Sequence, residues 1–170
     1  MWGDLSDPVM GGVSQSTFET ELTGGEGGGP TGVFRGSIST ANRGGFASIR
    51  TRNFDTPLDL RGMSGLEIRL LGDGNRYKFF VRTQPGWDAP AFAQSFDTVA
   101  GAWQTVKLPF AGFRPIFRAR TMQAAPPLDP KTVYSVQVML SKFEYDEELN
   151  PKFRSGPFSL KVSSISAYKQ

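Results

Sequence analysis

The chain has 170 residues, and its composition excludes several classes of active site. It contains no cysteine and no histidine, so it can form no disulfide, no thiolate or histidine-based zinc site and no Ser-His-Asp triad. Lys and Arg total 19 against 16 Asp and Glu, and the resulting net charge of +3 permits contact with phosphate or an acidic protein without requiring it. We therefore predict a binding protein rather than an enzyme, with no cofactor and no metal.

The length suits one domain, which we expect to span residues 1–170. No apolar run is long enough to cross a membrane, so no membrane insertion is predicted. No signal or transit peptide is visible, and the chain begins inside what looks like a structured motif. We therefore expect a domain excised from a longer protein, which would carry the targeting signal.

Strand patterns recur along the whole chain. Short runs rich in β-branched and aromatic residues are separated by clusters of Gly, Pro, Asn and Asp. The predicted strands, in chain order, are 17–22, 32–39, 46–52, 66–71, 77–83, 91–96, 103–108, 133–140, 158–162 and 165–168. No run beyond about ten residues keeps a helical period. The pattern predicts an all-β protein, an antiparallel β-sandwich or jelly roll.

Two glycine-containing segments near the start are interpreted as structural. Residues 7–14, Asp-Pro-Val-Met-Gly-Gly-Val-Ser, are expected to form a turn that seats the N-terminal segment, although a ligand site remains the alternative. Residues 24–29 are predicted to form a flexible hairpin connection. They lack the lysine and the following helix of a phosphate-binding loop.

Basic side chains recur at alternate positions of three predicted strands, and alternate positions share one face of a strand. The positions that share this face are Ser48, Arg50, Arg52, Glu67, Arg69, Arg76, Lys78, Phe80 and Arg82. If the three strands are neighbours, these side chains form one cationic sheet face with some aromatic character. The face is either a solvated outer surface or a concave platform for an acidic or polar ligand, and the sequence leaves both open.

The segment 110–120 interleaves aromatic residues with Arg114, Arg118 and Arg120. Arginine offers paired donors to phosphate or carboxylate, and aromatic rings can stack on bases. We therefore predict contact with RNA or an acidic protein here. The alternative is a basic loop that is anchored by buried phenylalanines.

Two further segments are candidates for surface contacts. The acidic segment 141–153 is predicted to be a solvated loop that docks through Phe143 and Phe153 rather than a cation site. Trp87 is predicted at a loop tip, where it would stack on a sugar ring or anchor a partner, or else pack onto the edge of the sandwich.

An ordered set of motifs covers essentially the whole chain. It consists of Trp2 and the segments 7–14, 34–36, 44–46, 70–74, 103–110 and 156–158. This set resembles the complex I intermediate-associated protein family. The resemblance implies a galactose-binding-like jelly roll and offers no catalytic residues to carry over.

Four other segments, 76–78, 117–121, 141–145 and 149–151, resemble the plastid branch of that family. In that branch the domain is inserted in an atypical short-chain-dehydrogenase-like translation factor for the photosystem II reaction-centre mRNA. The resemblance implies a binding module in the chloroplast stroma or at the thylakoid. Its implied partners are the mRNA leader, photosystem II biogenesis proteins and the parent's dehydrogenase-like fold. The alternatives are a complex I assembly-factor domain in the mitochondrial matrix and a carbohydrate-binding module.

Overall fold

The computed structural model describes residues 2–5 and 13–170, and this part of the chain contains twelve strands in two antiparallel sheets. The strands are β1 (Trp2–Asp4), β2 (Gln15–Glu21), β3 (Thr31–Ile38), β4 (Phe46–Thr51), β5 (Gly65–Leu71), β6 (Arg76–Arg82), β7 (Ala91–Asp97), β8 (Trp103–Pro109), β9 (Arg114–Phe117), β10 (Arg120–Thr121), β11 (Ser135–Ser141) and β12 (Gly156–Tyr168). Short 3-10 turns lie at Glu26–Gly28, Ala41–Arg43 and Phe110–Gly112. The predicted all-β sandwich is confirmed.

Strand order in each sheet departs from chain order, as in a jelly roll. The seven-stranded sheet runs β1-β4-β11-β6-β7-β9-β10, and the five-stranded sheet runs β2-β3-β12-β5-β8. Strand β11 lies between β4 and β6, with Val138 opposite both Ile49 and Phe79. The central strands of the seven-stranded sheet therefore come from three distant parts of the sequence.

The main core lies between the two sheets and is built by alternate residues of each strand. On β6, Tyr77, Phe79 and Val81 are fully buried. Across the sandwich, Phe34 and Leu160 are buried against them in the same cluster. The Tyr77 hydroxyl donates to Asp73 Oδ2 at 3.0 Å, so this buried polar atom is satisfied. Alternation thus assigns the other face of β6 to the outside of the sandwich.

Strand β12 is one long strand, although the sequence predicted two runs at 158–162 and 165–168. Its first half pairs with β3 and its second half with β5, and the register shifts between Val162 and Ser164. A bulge of this kind inserts one residue and breaks the strict alternation. This break is why the sequence pattern looked like two strands.

The first predicted hairpin is confirmed, because β2 and β3 are adjacent and the glycine-rich residues 24–29 connect them. Most of the segment 7–14 lies outside the described residues. Its last residue, Ser14, is buried, and its Oγ accepts a hydrogen bond from the Ser39 amide at 3.1 Å.

The predicted face with Glu67 and Arg69 beside the other basic residues is wrong. Strand β5 belongs to the five-stranded sheet, where Arg69 pairs with Glu26. The polar partners of β4 and β6 come instead from β11, which the sequence places far from both.

Candidate functional site: the cationic face

The outer side of the seven-stranded sheet carries the basic residues predicted on β4 and β6. Gln137 of β11 lies opposite both Arg50 and Phe80, so these three residues form one row across three strands. Lys78 and Arg82 flank Phe80 on the same side of β6. Arg52 follows the end of β4 and is exposed. We call this surface, with Arg50, Lys78, Phe80, Arg82 and Gln137 at its centre, the cationic face.

The loop between β11 and β12, residues 142–155, covers the middle of the cationic face. Tyr145 is 8% exposed and packs in a small second core with Phe80, Ala93 and Ile116. Its ring also receives the Arg114 guanidinium, 4.5 Å from the ring centroid. Tyr145 therefore anchors this loop, and burial raises the pKa of its hydroxyl to about 12.

Lys78 is the second anchor. Its Nζ donates at 2.7 Å to the carbonyl oxygens of Phe143 and Glu144, and the side chain is 4% exposed. Burial lowers the pKa of Lys78 to about 8, and the nearby Glu144 carboxylate opposes part of this shift. Lys78 is thus committed to holding the loop, although the sequence suggested that it faces a ligand.

Docking of this loop through Phe143 is a wrong prediction, because that ring is 43% exposed. Phe153 does pack against the main core, as expected. Phe143 stays exposed because Lys78 Nζ donates to its backbone carbonyl while the Tyr145 ring, and not the Phe143 ring, packs over the sheet.

Two tight turns meet at the edge of the cationic face. In the β9–β10 turn, Arg118 and Ala119 have φ values of 49° and 64°, and in the covering loop Asp146 and Glu147 have φ values of 56° and 70°. The Asp146 amide donates to the Ala119 carbonyl at 3.0 Å. Left-handed backbone costs a non-glycine residue roughly 1–2 kcal/mol. Such strain collects at functional sites, and residue composition alone did not reveal it.

The basic segment 110–120 forms a 3-10 turn and the β9–β10 hairpin rather than a loop. Each of its three arginines has a carboxylate partner. Arg118 pairs with Asp88 at 2.6 Å, Arg120 with Glu147 at 2.8 Å and Arg114 with Asp146 at 3.7 Å. Arg76, at the start of β6, pairs likewise with Asp97 at 2.7 Å. These ion pairs compensate most of the charge that motivated a phosphate-binding segment.

Arg50 and Arg82 are the least exposed arginines of the cationic face, and neither has an ion-pair partner among residues 2–5 and 13–170. Arg50 Nη1 donates to the Trp87 carbonyl at 3.1 Å, and its guanidinium lies 4.9 Å from the Trp87 ring centroid. Arg82 Nε and Nη1 are buried with no hydrogen-bond acceptor. Burial and the neighbouring Arg50 charge lower the pKa of Arg82 to about 10, so Arg82 stays charged at neutral pH. Burial also lowers the pKa of Arg50.

Two cavities open on the cationic face. The smaller, about 170 Å³, is bounded by Arg82, Trp87 and Gln137, and we call it the Arg82 cavity. The larger, about 480 Å³, is bounded by Arg114 and Glu144. Within the part of the chain that the structure describes, no group of three or more acidic side chains is placed to hold a metal ion. No helix of the described residues is long and apolar enough to span a bilayer.

Sequence reasoning found Arg50, Arg82 and Trp87 but missed Ser135 and Gln137. These two buried residues alternate with Val136 and Val138 along β11. That alternation was visible in the sequence as polar residues at every second position of a predicted strand.

The fold has clear counterparts among solved structures. The family 11 carbohydrate-binding module of a cellulosomal cellulase of Clostridium thermocellum superposes with a TM-score of 0.70 at 14% identity, covering 99% of this chain and 88% of that one. A sugar-binding protein of Bacteroides thetaiotaomicron, described as putative, superposes with a TM-score of 0.56 at 12% identity, covering 100% and 88%. At these identities the similarity establishes the fold, a galactose-binding-like jelly roll, which confirms the predicted fold class.

Sequence comparisons identify the family. An uncharacterized protein of Schizosaccharomyces pombe is 26% identical over 96% of this chain and 75% of its own length. The profile of the family described as complex I intermediate-associated protein 30 (CIA30) matches residues 1–162. The family expected from the ordered motifs is therefore confirmed, and the chain belongs to the CIA30 family.

Proposed function

We propose that this chain is a non-catalytic binding domain of an assembly factor, and that it acts on protein intermediates of respiratory complex I in mitochondria. The family description supports the assembly role. The composition supports binding rather than catalysis, because histidine and cysteine, the commonest general base and thiol nucleophile, are both absent.

The observation that carries this proposal is the pair Arg50 and Arg82 beside Trp87. Arginine and tryptophan are enriched among the residues that dominate binding energy at protein interfaces. Trp87 is 69% exposed, and the two arginines have no acidic partner in the described residues. This combination is suited to an acidic surface of a protein that also offers an apolar contact.

The proposal is tested by isolating the native complexes that contain the tagged full-length parent protein. We expect the parent to co-migrate with complex I intermediates, and we expect the double substitution Arg50→Gln, Arg82→Gln to weaken this association. Arg35→Gln is the matched control, because Arg35 lies on the five-stranded sheet and pairs with Glu19 at 2.8 Å. Normal complex I assembly without the parent protein would contradict the proposal.

The second candidate is the plastid role, a chloroplast translation and photosystem II biogenesis factor. Its support is that the four segments similar to the plastid branch meet at one place. Asn150 Nδ2 donates to the carbonyls of Arg76 and Ser141 at 3.0 Å, and Lys78 and Phe117 border one cavity. These segments build the covered half of the cationic face, so a branch-specific partner would bind there.

Organelle localisation of the tagged parent separates the two candidates, since a chloroplast protein would exclude the complex I role. RNA binding is tested by titrating the chain with the photosystem II mRNA leader at about 50 and 200 mM salt. Binding that weakens with salt and depends on Arg114, Arg118 and Arg120 would support the plastid role. No binding at either salt concentration would leave protein partners as its remaining basis.

A sugar-binding role rests on the fold and on the exposed ring of Trp87. A glycan array tests it directly. Sugar binding that survives Trp87→Ala would place any such site elsewhere on the molecule.

A further inference from the structure

We propose that the Arg82 cavity is a carboxylate-binding site that receives an acidic side chain of a protein partner. This inference rests on the proposed protein-binding function and assigns the atoms that would carry it. The cavity is bounded by side chains of β6 and β11, by the Trp87 loop and by the β9–β10 turn. It adjoins the covering loop, because Lys78 and Phe80 of its lining also contact that loop.

The donors of the site belong to Arg82, whose Nε and Nη1 have no acceptor. Arg50 does not border the cavity, but its bond to the Trp87 carbonyl holds the loop that does. The nearest carboxylate, Asp88, is already paired with Arg118. A buried guanidinium with unused donors is costly to a folded protein. A carboxylate that bonds to Arg82 would offset this cost, and guanidinium groups match carboxylates in geometry.

The site also has an acceptor whose orientation is fixed. Ser48 Oγ donates to the Leu5 carbonyl at 2.8 Å, so it accepts the hydrogen bond from Gln137 Nε2 at 3.0 Å. Gln137 Oε1 is then left without a donor, in a side chain that is 4% exposed. An acidic peptide supplies both the carboxylate for Arg82 and a donor for Gln137 Oε1, because a backbone N–H accompanies each acidic side chain.

Size and surroundings favour a protein carboxylate over a nucleic-acid phosphate. The volume of about 170 Å³ is well below the roughly 300–1,000 Å³ of pockets for whole small molecules. A phosphodiester is flanked by two riboses, whereas a glutamate carboxylate ends a slender chain. The rim contributes Trp87 and Phe117, which are 69% and 38% exposed, so apolar residues beside the acidic one gain contacts as well.

The test uses the 170-residue chain with hexaglutamate peptide as the probe and hexauridylate RNA as the competitor. We expect Arg82→Met to weaken peptide binding by at least about tenfold. Arg52→Gln removes the same charge from an exposed position outside the cavity and should change the affinity by less than about threefold. Equal losses in the two variants, or no peptide binding by the wild type at low salt, would overturn the site. Equal competition by RNA that also requires Arg82 would make it a phosphate site and overturn the protein assignment.

Thermal unfolding separates binding from structure. Because Arg82 Nε and Nη1 are buried without acceptors and the guanidinium is repelled by Arg50, Arg82→Met should keep or raise the melting temperature while peptide binding is lost. A lower melting temperature with unchanged peptide affinity would assign Arg82 a purely structural role.

Failure of the site and failure of the proposed function give different results. If Arg82→Met abolishes peptide binding but the wild-type parent never co-migrates with complex I intermediates, the site stands and the complex I role fails. If the variant parent co-migrates as well as the wild type, the role stands and the cavity is not its contact.

Discussion

Lys78 Nζ lies 2.7 Å from the carbonyl oxygen of Glu144, and this bond connects the middle of β6 to the loop that covers the cationic face. The same ammonium group holds the Phe143 carbonyl at 2.7 Å. One buried cation therefore satisfies two carbonyl groups, and it does so without a carboxylate hydrogen-bond partner among the described residues. The cost of this contact is the desolvation of one buried positive charge.

Because Lys78 is buried, the unfolding free energy should change with pH in the alkaline range. Burial lowers the pKa of Lys78 from 10.5 to about 8 in the folded chain, so between these values the unfolded chain binds the proton and the folded chain does not. Stability should therefore rise with pH across this window. We expect the unfolding free energy of the wild type to gain up to about 3 kcal/mol relative to Lys78→Met from pH 8 to 10.5.

Urea denaturation of both proteins across that pH range measures the difference, and other titrating groups cancel in it. A difference that stays flat would show that Lys78 titrates at its ordinary pKa, and one that falls as the pH rises would show that folding raises this pKa. Either result would contradict the prediction.

Tyr145 should be the main packing contribution of the covering loop. Tyr145→Ala removes a ring that is 8% exposed and leaves a void over Phe80 and Ile116, so we expect a loss of about 3 kcal/mol in unfolding free energy. Tyr145→Phe keeps the ring and removes only the hydroxyl, which lies 3.0 Å from Ser95 Oγ, so its loss should be about 1 kcal/mol. Equilibrium denaturation compares the two variants. Similar losses in both would mean that the hydroxyl, not the ring, holds the loop.

The sequence predicted the outer face of β6 correctly because the alternation of Arg76, Lys78, Phe80 and Arg82 is a local property of one strand. It could not predict that β11 separates β4 from β6, since strand order depends on contacts between distant segments. The neighbours of each charge were hidden for the same reason.

The ion-pair partners of the basic segment also could not be predicted from the sequence. Its arginines and aromatics suggested free positive charge at Arg118, but the partner Asp88 lies 30 positions earlier in the chain and comes close to Arg118 only in the folded sheet. Arg82 shows the converse, because its lack of a partner is a property of the fold and has no sequence signal. The candidate site was therefore predicted as a set of residues, while the division into paired and unpaired arginines required the structure.

The β9–β10 turn should be stabilised by glycine. Ala119 has a φ of 64°, which glycine adopts without steric cost, so Ala119→Gly should raise the unfolding free energy by about 0.5–1 kcal/mol. Ala111, which is exposed in the 3-10 turn Phe110–Gly112, provides the control. Ala111→Gly should lower stability by about 0.5–1 kcal/mol, because there glycine only adds freedom to the unfolded chain. Thermal denaturation reports both signs, and a destabilising Ala119→Gly would show that the left-handed turn is not strained.

Trp87 should contribute to binding far more than to stability. Its ring is 69% exposed, and its contact with the Arg50 guanidinium at 4.9 Å is of the kind worth about 0.5–1 kcal/mol at exposed sites. Trp87→Ala should thus lower the unfolding free energy by no more than about 1 kcal/mol, since the backbone carbonyl that accepts from Arg50 remains. In the hexaglutamate titration the same change should weaken binding, because it removes the exposed ring that borders the Arg82 cavity. Trp103→Ala is the matched control, since Trp103 lies on β8 at the edge of the five-stranded sheet and should leave the affinity unchanged. If Trp103→Ala lowered the affinity for the peptide as much as Trp87→Ala, the peptide would not bind on the cationic face.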